Sequence, residues 1–254
     1  MVRKLFVVLT LCLLMTGTLA FADWNPGDPY KMHYPQLPDL NGWDIYAEAP
    51  TVVADDWRCT DTGPITSIHF WGSWKSFSGP PFQISNIHVG IYSNDPVGPL
   101  GHSVPDFELW SRDFGPSQFV LSDPVEVLPP FQGWFDPTQD PDLVIPGDHN
   151  EYHQINIVGI ADPYVQIKDT IYWLAISVTA PGGTWGWKTS GSPQFMDDAV
   201  WWDGTDWQEL SDPISAESLD MAFVITPIPG AVWVLGSLLL GFFGLGKRRK
   251  WLQG

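Results

Sequence analysis

Ile84-Ser-Asn-Ile87-His-Val89-Gly-Ile91 is the stretch on which the fold turns. Apolar residues at 87, 89 and 91 alternate with His88 and Gly90, and a period of two puts them on one face of an extended chain. Ile171-Tyr-Trp173-Leu-Ala175-Ile-Ser177 is apolar almost throughout, the pattern of a strand inside a sandwich. Outward from these two lie further short runs rich in Val, Ile, Thr and aromatics: Val52–Cys59, Ile65–Trp74, Phe82–Tyr92, Glu108–Phe114, Tyr152–Ile160, Thr170–Thr179, Thr184–Lys188, Ala199–Trp202 and Ser218–Ile225. Clusters of Gly, Pro, Asn and Asp separate them, and no long helical periodicity intervenes. Asp203-Gly204-Thr-Asp206, between Trp201-Trp202 and Trp207, predicts a hairpin, because an Asp-Gly pair accommodates the positive φ of a tight turn. The expected fold is all-β, a jelly-roll-like β-sandwich over 51–225, with an open sheet or small barrel as the runner-up. Asp23–Pro50 reads as an extended Pro-rich leader lying across the sandwich, and Pro129–Pro146 as a long loop.

Composition excludes other classes. With 24 Gly and 24 Pro in 254 residues and no glycine period, the chain is neither a helical bundle nor a collagen. An aromatic content of 14% supplies the apolar surface that a disordered chain lacks. A formal net charge of −17 argues against a nucleic-acid partner, whose phosphates must be neutralised by Lys and Arg.

The two ends read as addresses. Arg3-Lys4, the apolar run Leu5–Met15 and the small residues Ala20 and Ala22 before Asp23 form a secretory signal peptide over 1–22, a helix delivered to the translocon and cleaved after Ala22. At the other end, the uncharged stretch from Thr226 to Gly246 has about the 20 residues that cross a bilayer as one helix. Lys247, Arg248, Arg249 and Lys250 follow it and orient the C-terminus to the cytoplasm.

The tail over 226–254 resembles the PEP-CTERM sorting signal of Gram-negative bacteria: a proline motif, a single helix and a terminal basic cluster. The motif stands here as Pro227-Ile228-Pro229-Gly230-Ala231, similar to the Val-Pro-Leu-Pro-Ala variant, from which Thr226 and one small residue depart. The resemblance implies recognition by an exosortase-type membrane protease, an inner-membrane-anchored precursor, and transfer to the cell surface or extracellular matrix. Ala54-Asp-Asp-Trp57-Arg-Cys59-Thr, Gly63-Pro-Ile-Thr66 and Ile68-His-Phe-Trp-Gly-Ser-Trp74 resemble a domain that recurs in secreted proteins of environmental bacteria and has no assigned activity.

Removing the six basic residues of the two ends leaves six of 12 against all 29 acidic residues, a net charge of −23 for the exported part. Such a surface stays soluble, repels anionic lipid and polysaccharide, and attracts divalent cations. Cys59 is the only cysteine outside the signal peptide, so the core must supply stability without an intrachain disulfide; it reads as a small buried hydrophobe beside a strand.

Candidate chemistry is sparse. Asp148-His149-Asn150-Glu151-Tyr152-His153 reads as a polar loop entering a strand, with a zinc chelate through Glu151 and His153 as the alternative. Asp136, Asp140 and Asp142 put three hard oxygen donors in one loop, a solvated acidic segment or a calcium site. Asp55 and Asp56 in a strand are candidates for capping or cation binding. Trp185, Trp187, Trp202 and Trp207 lie near turns, the last two beside Asp203 and Asp206. They fill the gap between sheets or stack on sugar faces while the carboxylates accept hydroxyl hydrogen bonds. No nucleophile elbow, phosphate loop or His-Glu-x-x-His motif occurs, and no carboxylate pair has glycosidase spacing. The expectation is an exported, surface-sorted, non-catalytic structural or adhesive protein without a cofactor, calcium aside. The alternatives are a carbohydrate-binding module engaging polysaccharide and a secreted hydrolase.

Overall fold

The computed structural model describes residues 23–76, 81–129 and 131–227. The signal peptide, with Ala20 and Ala22, the membrane helix, Ile228–Ala231 of the proline motif and the basic cluster lie outside the described residues. The described part is all-β. Its strands are β1 Trp43–Tyr46, β2 Val53–Arg58, β3 Gly63–Pro64, β4 Ser67–Trp74, β5 Asn86–Asp95, β6 Val104–Phe114, β7 Phe119–Leu121, β8 Val125–Glu126 and β9 Gln132–Asp136. They continue with β10 Leu143–His149, β11 Glu151–Val158, β12 Val165–Gln166, β13 Ile171–Thr179, β14 Trp185–Lys188, β15 Val200–Trp202, β16 Trp207–Glu209 and β17 Phe223–Thr226.

Two large sheets result. The larger runs β10-β9-β1-β14-β4-β11-β7, with β17 also pairing β4 and β8 also pairing β11; the smaller runs β16-β15-β2-β13-β5-β6. Only β1 and β9 run parallel in the larger sheet, and the smaller is antiparallel throughout. One apolar cluster joins their facing sides: Phe70, Ile155, Trp185 and Phe223 from the larger meet Trp57, Val89, Ile91 and Leu174 from the smaller. The Trp57 and Phe223 rings touch edge to face across the gap at 6.1 Å. This arrangement is consistent with a β-sandwich. Six indoles, those of Trp57, Trp74, Trp134, Trp173, Trp185 and Trp187, are fully buried. Each removes about 200 Å² from water, a driving force of about 5 kcal/mol before entropy is subtracted. Cys59 is a buried free thiol just past the end of β2, as expected of a small apolar residue.

Two segments differ from the sequence-based expectation. Trp24, at the start of 23–50, lies against the larger sheet, its backbone bonded both ways to the Gln154 side chain. The remainder is woven in: Met32 bridges Cys59, Gln36 bridges Phe223, and β1 is an interior strand between β9 and β14. The expected loop 129–146 contains β9 and most of β10. Prolines at 129, 130, 137, 141 and 146 hide these strands in the sequence, because they punctuate the ends of apolar runs as well as true loops.

Candidate functional site

A strand buried on both faces has to cover its second face. On β13, Leu174 and Ile176 enter the main core, while Trp173 and Ala175 point the other way and form a second cluster with Ala54 and Val200. Val52, Tyr92 and Trp207 pack on that cluster. The connection from β5 to β6 folds back tightly beside it: the Gly98 N–H donates to the His102 carbonyl at 2.7 Å and the Gly101 N–H to the Gly98 carbonyl at 3.0 Å. A Cβ on Gly98 would stand 2.6 Å from the Val104 side chain, so the turn needs glycine there.

Between this connection and the β15–β16 hairpin, on the outer face of the smaller sheet, lies a cleft of about 510 Å³. Tyr92, Trp202 and Trp207 supply its aromatic surface and Asp95, Asp106 and Asp206 its charge. The hairpin presents the two indoles because Trp202 and Trp207 are register partners, with centroids 5.3 Å apart and planes at 61°. Asp203 builds the turn: its Oδ1 accepts from the Thr205 and Asp206 N–H groups at 2.7 and 2.9 Å, and Gly204 adopts φ +100°. These backbone donors, Asp206 first, hold the Asp203 carboxyl below the usual range. Asp203 is therefore occupied by the turn, whereas Asp206 lines the cleft.

Tyr92 packs edge to face on Trp207 at 6.2 Å. Gly90, two residues back on the same face, makes room for it, since a Cβ there would stand 2.6 Å from the Tyr92 ring. Burial first, then the Glu108 carboxylate that its hydroxyl meets at 3.2 Å, pushes the Tyr92 phenol up to about 12, so it stays a donor. The cleft thus offers flat apolar faces and hydrogen-bond acceptors, and the residues lining it include no Lys, Arg or His.

Residues 32–226 match the family model described as Domain of unknown function (DUF7901). The chain belongs to this family. No curated protein matches the chain, and neither does any solved structure. The match agrees with the sequence resemblance to an uncharacterised domain, and it brings the greater part of 23–50 into the DUF7901 domain.

Trp185 and Trp187 are corrected: both are fully buried between the sheets, against Phe70 at 6.0 and 6.2 Å, and neither can meet a sugar. Trp202 and Trp207 are partly exposed and come together at the cleft. Asp136 is buried and accepts from Thr138 and Gln139 of its own turn, while Asp140 and Asp142 are exposed. His153 Nδ1 donates to the Ser122 carbonyl, and the ring packs on Trp74. No group of three or more His, Cys, Asp or Glu among the described residues is arranged to hold a metal.

Two buried clusters are only half legible in the sequence, which offers Asp148-His149 and Asp55-Asp56 but not the partners they meet. In the first, Ser73 Oγ lies 2.7 Å from His149 Nε2, and Asp148 Oδ2 lies 3.0 Å from His149 Nδ1. These are the contacts of a Ser-His-Asp triad, yet Nε2 also meets Asp44 Oδ2 at 2.9 Å, which in turn meets Lys188 Nζ at 3.3 Å. Burial disfavours the imidazolium, but the Asp44 charge and the bonds from Asp148 and Asp44 outweigh it and raise the imidazole to about 9. An imidazolium has no lone pair with which to take a serine proton. Ser73 and His149 are themselves buried, so this is an internal ion cluster suited to holding β1, β4, β10 and β14 together.

In the second, Asp55, Asp56 and Asp220 are all buried. Asp55 Oδ2 accepts from Gln36 Nε2 and the Met221 N–H, and Asp220 Oδ2 from the Phe195 N–H. Neither oxygen of Asp56 has a hydrogen-bond partner among the described residues. Burial, followed by the neighbouring Asp220 charge, raises Asp55 far above its ordinary value and Asp56 to about 9; burial raises Asp220 to about 7. Their proximity arises because the segment leading into β17 reaches β2, where the Met221 N–H bonds the Asp55 carboxylate, a contact no local pattern announces.

Proposed function

We propose that the protein is exported, sorted to the cell surface by its C-terminal tail, and acts there as a non-catalytic adhesive component that holds carbohydrate in the cleft. The observation that carries the adhesive role is the cleft itself, where Tyr92, Trp202 and Trp207 stand beside Asp95, Asp106 and Asp206. Sugars present C–H faces that pack on aromatic rings and hydroxyls that donate to carboxylates, so this combination suits a saccharide better than a purely apolar ligand. The export half is supported by the signal-like N-terminus and by the resemblance of Pro227–Ala231, the apolar stretch and Lys247–Lys250 to a sorting tail. The processing partners are then the translocon and an exosortase-type protease.

Titration against a glycan array tests the adhesive role. Binding by the native protein, weakened about tenfold or more by Trp202→Ala, is the expected result; no binding to any glycan overturns it and leaves a scaffold without a ligand. Intact-mass analysis of protein recovered separately from cells and medium tests the export. A form running from Asp23 to near Pro227 is expected, and a cell-associated form that retains Met1–Ala22 overturns it.

A further inference from the structure

We propose that the cleft selects a cationic amino-sugar polymer, a chain of hexosamine units with free, protonated amines, over its neutral or N-acetylated forms. The inference rests on the carbohydrate reading and adds the charge of the ligand. Three carboxylates line the cleft and no cationic side chain does. None of the three is engaged in a salt bridge among the described residues. Asp95 uses Oδ1 to accept from the Val97 N–H, and Asp106 uses Oδ2 to accept from Ser93 Oγ at 3.4 Å. Each keeps a second oxygen for a ligand, and the Asp206 carboxylate accepts no protein hydrogen bond among those described. Glu108 adds a fourth negative charge beside Tyr92.

A protonated sugar amine satisfies both halves of this surface. It donates charge-assisted hydrogen bonds to carboxylates, and the electron-rich faces of Trp202, Trp207 and Tyr92 attract it. An acetylated amine keeps the ring contacts and loses the charge. An anionic sugar meets three carboxylates with no counter-charge and is repelled, in keeping with the net charge of −23 outside the two ends. Pairs of this kind at partly exposed positions contribute modestly one by one, so three together correspond to a preference of about tenfold or more at low salt, declining as salt rises.

The test is calorimetric titration of the full chain at about pH 5.5, where sugar amines are charged. The probes are a glucosamine hexamer, its fully N-acetylated counterpart and a lysine hexamer. The expected order places the glucosamine hexamer about tenfold or more ahead of the acetylated one. An Asp95→Asn, Asp106→Asn, Asp206→Asn variant, which keeps the shape of the cleft and removes its charge, should bring the two to parity. Equal binding of both hexamers by the native protein overturns the amine selectivity and leaves the carbohydrate reading standing. Binding of neither overturns both. A lysine hexamer that binds as tightly as the glucosamine hexamer, with Trp202→Ala affecting neither, reduces the interaction to diffuse charge attraction and also overturns the proposal.

Discussion

His149 is the residue at which polar burial decides most. Its imidazolium lies between Asp44 and Asp148, with Lys188 on the same Asp44 oxygen, all four side chains almost fully withdrawn from water. Removing the imidazolium takes the cationic partner from Asp148 and leaves Asp44 with Lys188 alone, and breaking a buried pair in this way costs about 3–5 kcal/mol. His149→Gln should therefore lower the urea midpoint strongly; a change within error would show that the cluster contributes nothing to stability. For Asp56, removing the ionisable group acts in the opposite direction. Its folded-state value, raised to about 9, lies above that of the unfolded chain, so the native state holds a proton that the unfolded state releases as pH climbs past the ordinary carboxylate range. Stability attributable to this residue is lost as pH rises toward about 9. Asp56→Asn should accordingly gain on the native protein by up to about 1.4 kcal/mol per pH unit between pH 5 and 8, read by urea unfolding at several pH values. A pH-independent difference would mean that the carboxyl is ionised in the fold.

Among elements, β5 and the β15–β16 hairpin set the cleft. The ring of Tyr92 lies where a Cβ on Gly90 would be, so Gly90→Val must push it off the sheet. The variant should keep its strand, since β-branched residues suit that conformation. It should lose about tenfold in ligand affinity and alter the indole fluorescence through the neighbouring Trp207; unaltered fluorescence and affinity would show that Tyr92 does not shape the site. Asp203→Ala removes the acceptor for three donors, the N–H groups of Thr205 and Asp206 and the side chain of Gln208. It should loosen the hairpin and weaken ligand binding with only a small change in melting temperature, because the turn is exposed. The hairpin was legible in advance because Asp-Gly is a local signal that acts within four residues.

At the scale of the whole molecule, the titrating groups combine. Between about pH 6.5 and 9 the fold retains protons on His149 and Asp56, and up to about 7 on Asp220, that the unfolded chain has released, and the burial-raised Asp55 acts in the same direction. Stability should therefore fall as pH rises through this window. The burial-lowered Lys31 and Lys188 act in the opposite direction, and His33, His69 and His153, lowered first of all by burial, erode stability only below about pH 6.5. A melting temperature that rises from pH 6.5 to 9 would contradict the buried carboxyl cluster as described.

The sequence by itself determined the class and most of the strands, because alternation, turn residues and burial tendency act over a few neighbouring residues. Ile87, Val89 and Ile91 point into the core as their period demands, and Trp202 and Trp207 face each other across a predicted turn. The acidity of the surface and the character of the two ends are likewise sums and runs along the chain. Tertiary structure alone decided which tryptophans are lost to the core. Trp185 and Trp202 sit in similar local sequence, yet β14 is enclosed between β1 and β4 while β15 lies one strand from the sheet edge. It also decided that Tyr92, Asp95 and Asp106 share a cleft with a hairpin about a hundred residues away, and that Ser73, His149 and Asp44 meet in the interior. Such partners are chosen by sheet order and by which face each strand turns inward, and those follow from burying all the apolar faces at once rather than from any segment taken alone.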